Sequence, residues 1–275
     1  MGYAAMPRDT ADFVAPVRTV NAQGRGPFAI VVDHASNRIP PHYGDLGLAA
    51  SERVRHIAWD PGALAVSLRL SELLDAPVVH ATTSRLVVDC NRFLDAPTLM
   101  SETSEYTAIP GNTGISAEDR AARIARYYTP YHDSIEQLLA QRRAHNLETI
   151  LVCMHSFTPV FMGVARPWPI GLLPAPDEAF TRALFDALHA EAPELNIGWN
   201  EPYAAAKGVS YTVDHHGRGI EATMIEIRHD EILEPDGVAL WADRLARCLE
   251  AARVALRGPT ISGVHIGRLQ EGSND

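Results

Sequence analysis

FAIVVDHASNRIP, residues 28–40, runs from an apolar strand straight into a polar turn. Phe28 to Val32 form a short apolar run of the kind buried inside a sheet. Asp33, His34, Ser36, Asn37 and Arg38 follow, and Pro40 closes the turn. A turn alone needs only Gly or Asn; an imidazole beside a carboxylate suggests chemistry at the carboxyl end of a strand. The same pattern recurs downstream. ETILVCMHS (148–156) ends in His155 and Ser156, ATMIEIRHD (222–230) carries Glu226 to Asp230, and RLVVDC (85–90) opens the polar tip Asp89 to Arg92. With PVVHAT (77–82), these segments read as short strands.

Amphipathic stretches lie between them: WDPGALAVSLRLSELLDA (59–76), the long run 117–146, 177–193 and 236–256. Asp60 is placed as an N-cap with Pro61 at the first helical position. The run 117–146 should bend or break at Pro130. Short strands alternating with helices predict one α/β domain, an α/β/α sandwich around a mixed, mostly parallel sheet. Residues 1–24 read as a loosely ordered lead-in and 25–275 as the single domain. In such folds ligands bind outside the carboxyl ends of the strands, so the polar tips should share one site. Residues 95–116 form a long polar loop of functional length, expected to act as a lid over that site.

The bulk properties narrow the class. The chain has 275 residues, 46% of them apolar, and a net charge of −10. A dispersed negative charge argues against a nucleic-acid partner, which needs a basic face. No apolar run approaches a membrane span, and the N-terminus lacks the apolar core of a secretion signal. Three scattered cysteines, Cys90, Cys153 and Cys248, are not a disulfide framework, which fits a reducing cytoplasm. The oligomeric state is left open.

Several enzyme motifs are absent: no GxSxG elbow, Walker A loop, GxGxxG or HExxH. What stands at the strand ends is His, His and carboxylate, the donor set of a catalytic zinc with one open position. His34 and His155 are the candidate ligands, against the alternative of hydrogen-bonded structural histidines. In MIEIR, period-2 alternation puts Met224, Glu226 and Arg228 on one face and Ile225 and Ile227 on the other. Glu226 is then either a general base, with Arg228 orienting it beside substrate, or half of a structural ion pair with Arg228. Arg85, Asn91 and Arg92 suit carboxylate capture and oxyanion stabilisation, against the alternative of surface salt bridges.

Eight motifs in order, DHASNRIP, SRLVVDCNR, IPGNTGIS, YTPYH, HSFTP, NEPY, YTVDHHGRG and IEIRHD, span about residues 27–255. Together they resemble the N-formylglutamate amidohydrolase family, which is similar in fold to the zinc carboxypeptidases and aspartoacylase. The resemblance implies a cytoplasmic hydrolase that cleaves an N-acyl amide with water, releasing formate from N-formylglutamate. It implies one zinc, or another divalent metal, per chain. His34 and His155 resemble the metal histidines. Carboxypeptidases place a glutamate ligand three residues after the first histidine; here that position is Asn37. Asp60, at the start of a helix, is therefore expected as the third ligand, with Asn37 contacting substrate or supporting the site. Glu226 takes the general-base role. Arg85 resembles an oxyanion arginine, and Asn91 and Arg92 a carboxylate clamp. His215 and His216 have no counterpart, and one is expected to line the substrate pocket. His132 is expected to pack its helix, and the other seven histidines to be ordinary. Two alternatives share these features. One is a deacylase or carboxypeptidase for another N-acyl amino acid or small peptide; the other is a metal-free protein that binds an acidic metabolite, favoured by Asn37 in place of Glu.

Overall fold

A computed structural model describes residues 14–203 and 210–257. In chain order the strands are β1 (Val17–Val20), β2 (Phe28–Val32), β3 (Val78–Ala81), the hairpin β4 (Thr103–Ser104) and β5 (Thr107–Ala108), β6 (Ile150–Phe157), the hairpin β7 (Val160–Phe161) and β8 (Val164–Ala165), β9 (Ile170–Pro174), β10 (Ile197–Trp199) and β11 (Ala222–Arg228). The α-helices are α1 (Ala63–Leu74), α2 (Ala117–Arg123), α3 (Thr129–Ala144), α4 (Ala179–Glu191), α5 (Tyr211–His216) and α6 (Pro235–Arg257). Apart from the two hairpins, the strands form one seven-stranded sheet in the order β1-β3-β2-β6-β11-β9-β10.

β3, β2, β6 and β11 are mutually parallel. β1 lies antiparallel on β3, and β9 antiparallel on β11 with β10 parallel to it. The sheet is mixed with a parallel centre, as the strand–helix alternation predicts. Its central strands are buried on both faces, which is why they read as continuous apolar runs rather than alternating ones. Phe28, Ile30, Val152, Met154, Ile225 and Ile227 pack with α1, α4 and α6 on one side. Ala29, Val31, Leu151, Cys153 and Met224 pack with α3 and α5 on the other. The result is the α/β/α sandwich. Among the described residues no helix is long and apolar enough to cross a membrane.

Four local features depart from the sequence expectation. Val17–Val20, inside the stretch read as a lead-in, form the edge strand β1; residues 1–13 and 258–275 lie outside the described residues. Arg85–Cys90 is a turn, not a strand. Its apolar residues Leu86, Val87 and Val88 instead fill a third core under the loops, with Leu99, Ile109 and Tyr127. The break in 117–146 is a π-helical turn, Ile124–Tyr128, ending just before Pro130, which sits in the first turn of α3. Pro130 has no N–H to give to the preceding turn, so a wider turn there loses nothing. Asp60 does not cap α1. Gly62 does, at φ 81°, where an added Cβ would meet the Ile232 carbonyl oxygen at 2.4 Å. That glycine turns the chain sharply and frees the Asp60 carboxylate to point elsewhere.

β9 and β10 carried no expectation. Gly171 in β9 pairs with Glu226 across the sheet, and a Cβ there would stand 1.8 Å from the Glu201 carbonyl oxygen. The glycine lets the 200–203 segment close over the end of β9 and deliver Tyr203 to the cleft.

Candidate active site

The strand ends converge. His34 follows β2, His155 lies near the end of β6, and Glu226 stands beside His155 in register on β11. Asp60 reaches the same place from the loop before α1, its backbone N–H donating to the His34 carbonyl at 2.9 Å. All four side chains are buried, and all line a cleft of about 250 Å³.

The ring nitrogens show how these groups are aimed. Asp60 Oδ2 lies 3.3 Å from His34 Nδ1 and 2.8 Å from His155 Nδ1. The opposite nitrogens face two further carboxylates: His34 Nε2 is 2.7 Å from Asp89 Oδ1, and His155 Nε2 is 3.0 Å from Asp33 Oδ2. Asp33 and Asp89 therefore fix each imidazole with its Nε2–H outward and its Nδ1 turned toward Asp60. This is the carboxylate–histidine arrangement that orients metal-binding histidines. One donor atom from each of His34, Asp60 and His155 lies within 4.8 Å of the others. Donors about 2.0–2.1 Å from a tetrahedral zinc stand roughly 3.3–3.4 Å apart, so this set fits zinc with little movement. Asn37 is not in the group: its amide donates to the Arg53 carbonyl at 3.0 Å.

The charges are strongly coupled. Burial opposes ionisation of Asp60, but His34 and His155 outweigh it and hold the carboxyl well below its usual range. Burial and Arg85 push His34 down, yet Asp89 and Asp60 prevail and raise it. Burial likewise opposes charge on His155, and its bonds to Asp33 and Asp60 raise it well above the ordinary value. The surrounding carboxylates thus bias both imidazoles toward the protonated form.

Glu226 is different. Burial pushes its carboxyl up to about 7, only partly offset by His155. Its Oε2 is buried and makes no hydrogen bond. An acceptor left open at the floor of a cleft costs stability unless something else uses it. The ion pair with Arg228 does not form. Arg228 turns outward to Asp230 at 2.7 Å and Glu231 at 3.0 Å, and it does not line the cleft. Arg228→Ala should therefore leave turnover within about twofold of the parent, as for other exposed ion pairs; steady-state rates check this.

Arg85 and Arg92 both line the cleft. Arg85 gives Nε and Nη2 to Asp89 Oδ2 at 3.1 and 2.6 Å, leaving Nη1 3.6 Å from Asp60 Oδ1. It is thus held rigidly, with one face toward the metal donors. Asn91 also lines the cleft, but its Oδ1 accepts from the Thr212 N–H at 3.0 Å, and its own backbone N–H donates to Asp89. It braces the site more than it offers a free hand to a ligand. Arg92 donates Nη1 to the Asn91 carbonyl at 3.2 Å.

His215 and His216 are not in the cleft. His216 is buried against His132, 2.9 Å ring nitrogen to ring nitrogen, and His215 faces Glu136 at the surface. His132 packs as expected, its Nε2 donating to the Cys90 carbonyl at 2.9 Å. The sequence reading passed over His56, which lines the cleft with Nδ1 3.5 Å from Asp60 Oδ1 and Nε2 3.3 Å from the Tyr203 hydroxyl. Burial pushes it down to about 3, so it is neutral beside the metal donors. Nothing local marks it, because RVRHIAW has no strand-end pattern.

The proposed lid is part wall and part anchor. Thr98, Ser101, Thr103, Ser104 and Glu105 line the cleft. The following IPGNTGIS segment is pinned: Asn112 donates to the Leu86 and Ser101 carbonyls, each at 2.8 Å, and accepts from buried Arg123 at 2.7 Å.

Comparison with known proteins identifies the fold and the family. The structure is similar to gene product Atu2144 of Agrobacterium tumefaciens, with a TM-score of 0.85 and 37% identity over 89% of this chain and 97% of that one. It shares its fold with N-formylglutamate amidohydrolase from Ralstonia eutropha JMP134, with a TM-score of 0.66 and 17% identity over 89% and 99% of the two chains. A search of curated proteins returned no match. The family model for N-formylglutamate amidohydrolase matches residues 26–233, and the chain belongs to that family.

Proposed function

We propose that this protein is a metal-dependent hydrolase of N-acyl amino acids, with N-formylglutamate the leading substrate. One observation carries the reading: His34 Nδ1, His155 Nδ1 and Asp60 Oδ2 converge in a cleft beside Glu226, whose buried Oε2 makes no hydrogen bond among the described residues. His34, Asp60 and His155 would hold zinc or another divalent ion, which supplies Lewis acidity toward water and the acyl carbonyl.

The chain's own residues do the rest. Glu226, poised near neutrality by burial, takes a proton from the attacking water as its oxygen bonds to the acyl carbon. The carbonyl oxygen gains negative charge, and the Arg85 Nη1 edge faces that charge as a fixed donor. The C–N bond then breaks. Glu226 hands its proton to the departing nitrogen, leaving a free amino acid and formate or another carboxylate. Arg92 supplies the cationic wall for the substrate carboxylate, and Asn91 holds the backbone beneath it, which keeps the acyl group near its reacting geometry.

The alternative of a metal-free binder rested on Asn37. Asp60 brings the carboxylate that position 37 lacks, so that feature no longer favours it. The test is a hydrolysis panel of N-formyl and N-acetyl amino acids, with zinc added and after chelation. Zinc-restored release of formate from N-formylglutamate, faster than acetate from N-acetylglutamate, is expected. Preference for another acyl amino acid would keep the hydrolase and change its substrate. No turnover on any member, with ligand binding retained in chelator, would favour the binder.

A further inference from the structure

The YTVDHHGRG motif lends no side chain to the cleft lining, yet it builds a second constellation on the α3–α5 face. Glu136 projects from α3, and His215 and His216 from α5. One donor atom from each lies within 4.8 Å of the others. His215 Nε2 stands 3.5 Å from Glu136 Oε1, close to the roughly 3.3–3.4 Å between two donors on a tetrahedral zinc.

Hydrogen bonds behind the cluster set its tautomers. The Cys90 carbonyl can only accept, so His132 Nε2 donates to it at 2.9 Å. His132 Nδ1 then keeps a lone pair and accepts from His216 Nε2–H at 2.9 Å. His216 is left with its lone pair on Nδ1, and no described residue bonds to that atom. A metal-binding imidazole gives its other ring N–H to a fixed acceptor, and His132 Nδ1 fills that place for His216. The two rings stack at 5.2 Å and 19°, and His215 stacks on Tyr211 at 4.9 Å and 12°, which limits their freedom.

We propose that Glu136, His215 and His216 form a second divalent-metal site, of the zinc class, that staples α5 to α3. Two imidazoles and one carboxylate suit zinc, cobalt or nickel rather than magnesium or calcium, which prefer oxygen donors. The staple has a reason to exist. Thr212 on α5 donates its N–H to Asn91 and its hydroxyl to Asp33, the carboxylate behind His155. Fixing α5 therefore fixes one wall of the cleft.

The test counts ions on the full chain, stripped with chelator and titrated with Zn²⁺ alone. The parent protein should bind two per chain, Asp60→Ala one, and the double variant Asp60→Ala/His215→Ala none. In the Asp60→Ala background, added zinc should raise the melting temperature, and His215→Ala or Glu136→Gln should abolish that rise; both residues are exposed, so the fold survives their loss. An Asp60→Ala chain that binds no zinc overturns the second site. So does a zinc count unchanged by His215→Ala. If the parent binds a single ion that His215→Ala removes and Asp60→Ala does not, the second site stands and the cleft metal falls.

Discussion

Glu226→Gln should lower turnover by about 10²- to 10⁴-fold, the usual loss when general acid–base assistance is removed, while metal content and substrate affinity should stay near those of the parent. Gln keeps the shape of the side chain and cannot take a proton. A purely structural role would behave otherwise, through a stranded guanidinium and a fall in stability. Arg228 already pairs with Asp230 and Glu231, so nothing is stranded. Stability should move the other way. The carboxyl titrates at about 7 in the folded chain against 4.5 for an ordinary Glu. Between those values the unfolded chain has released its proton and the folded chain has not, so this group costs stability as pH rises. Gln removes the cost. The metal-free variant should match the metal-free parent near pH 4.5 and melt progressively higher than it as pH approaches 7. A metal-replete Glu226→Gln protein with near-parental turnover would remove Glu226 from the proton path.

The sheet's centre was legible because burial on both faces forces continuous apolar runs, and β2, β6 and β11 have them. The same rule misled at Leu86–Val88, whose apolar run fills a loop core instead. Short segments of four to six residues do not say which partner buries them. β1 and β10 were missed because edge strands need little apolar sequence; β1 is mostly exposed. β9 lies inside the sheet and is buried, but Gly171 and Pro174 interrupt its apolar run. Of the site, His34, His155 and Glu226 announced themselves by position, as polar groups at the ends of buried strands. Asp33 and Asp89 stood at the same strand and turn ends, but their work, fixing imidazole orientation, appears only when the ends are brought together. Arg228 and Asn37 failed for a shared reason. Both sit one pleat or one turn from the cleft, and local partners, Asp230 and Glu231 for one and the Arg53 carbonyl for the other, claim them first. His215 and His216 were rightly marked as unusual and wrongly sent to the cleft, because sequence order cannot say which side of α5 faces it.

Asp60 carries the second large effect. Asp60→Asn should abolish retention of the cleft metal through dialysis, whereas Asn37→Ala should leave it intact. Asp60 Oδ2 lies close to both His34 Nδ1 and His155 Nδ1, and a carboxylate offsets the charge of a divalent ion where an amide does not. The amide also turns an N–H₂ group toward one of the imidazoles. The metal-free state sharpens the contrast. His34 and His155 are both raised, burial notwithstanding, by Asp60 with Asp89 and Asp33. Each contributes stability below pH 6.5, the ordinary histidine value, and loses it as pH rises through the folded value. Metal binding needs both rings neutral at Nδ1, so the parent should release protons on taking up zinc and bind more tightly as pH rises. Asp60→Asn removes one of the carboxylates that hold those protons, so its metal-free form should lose less stability between neutral and alkaline pH. Metal analysis after dialysis at pH 7, with melting curves across pH, reads both effects. If Asn37→Ala strips the metal and Asp60→Asn keeps it, the third donor is the residue three after His34, and Asp60 serves only to hold the two imidazoles in place.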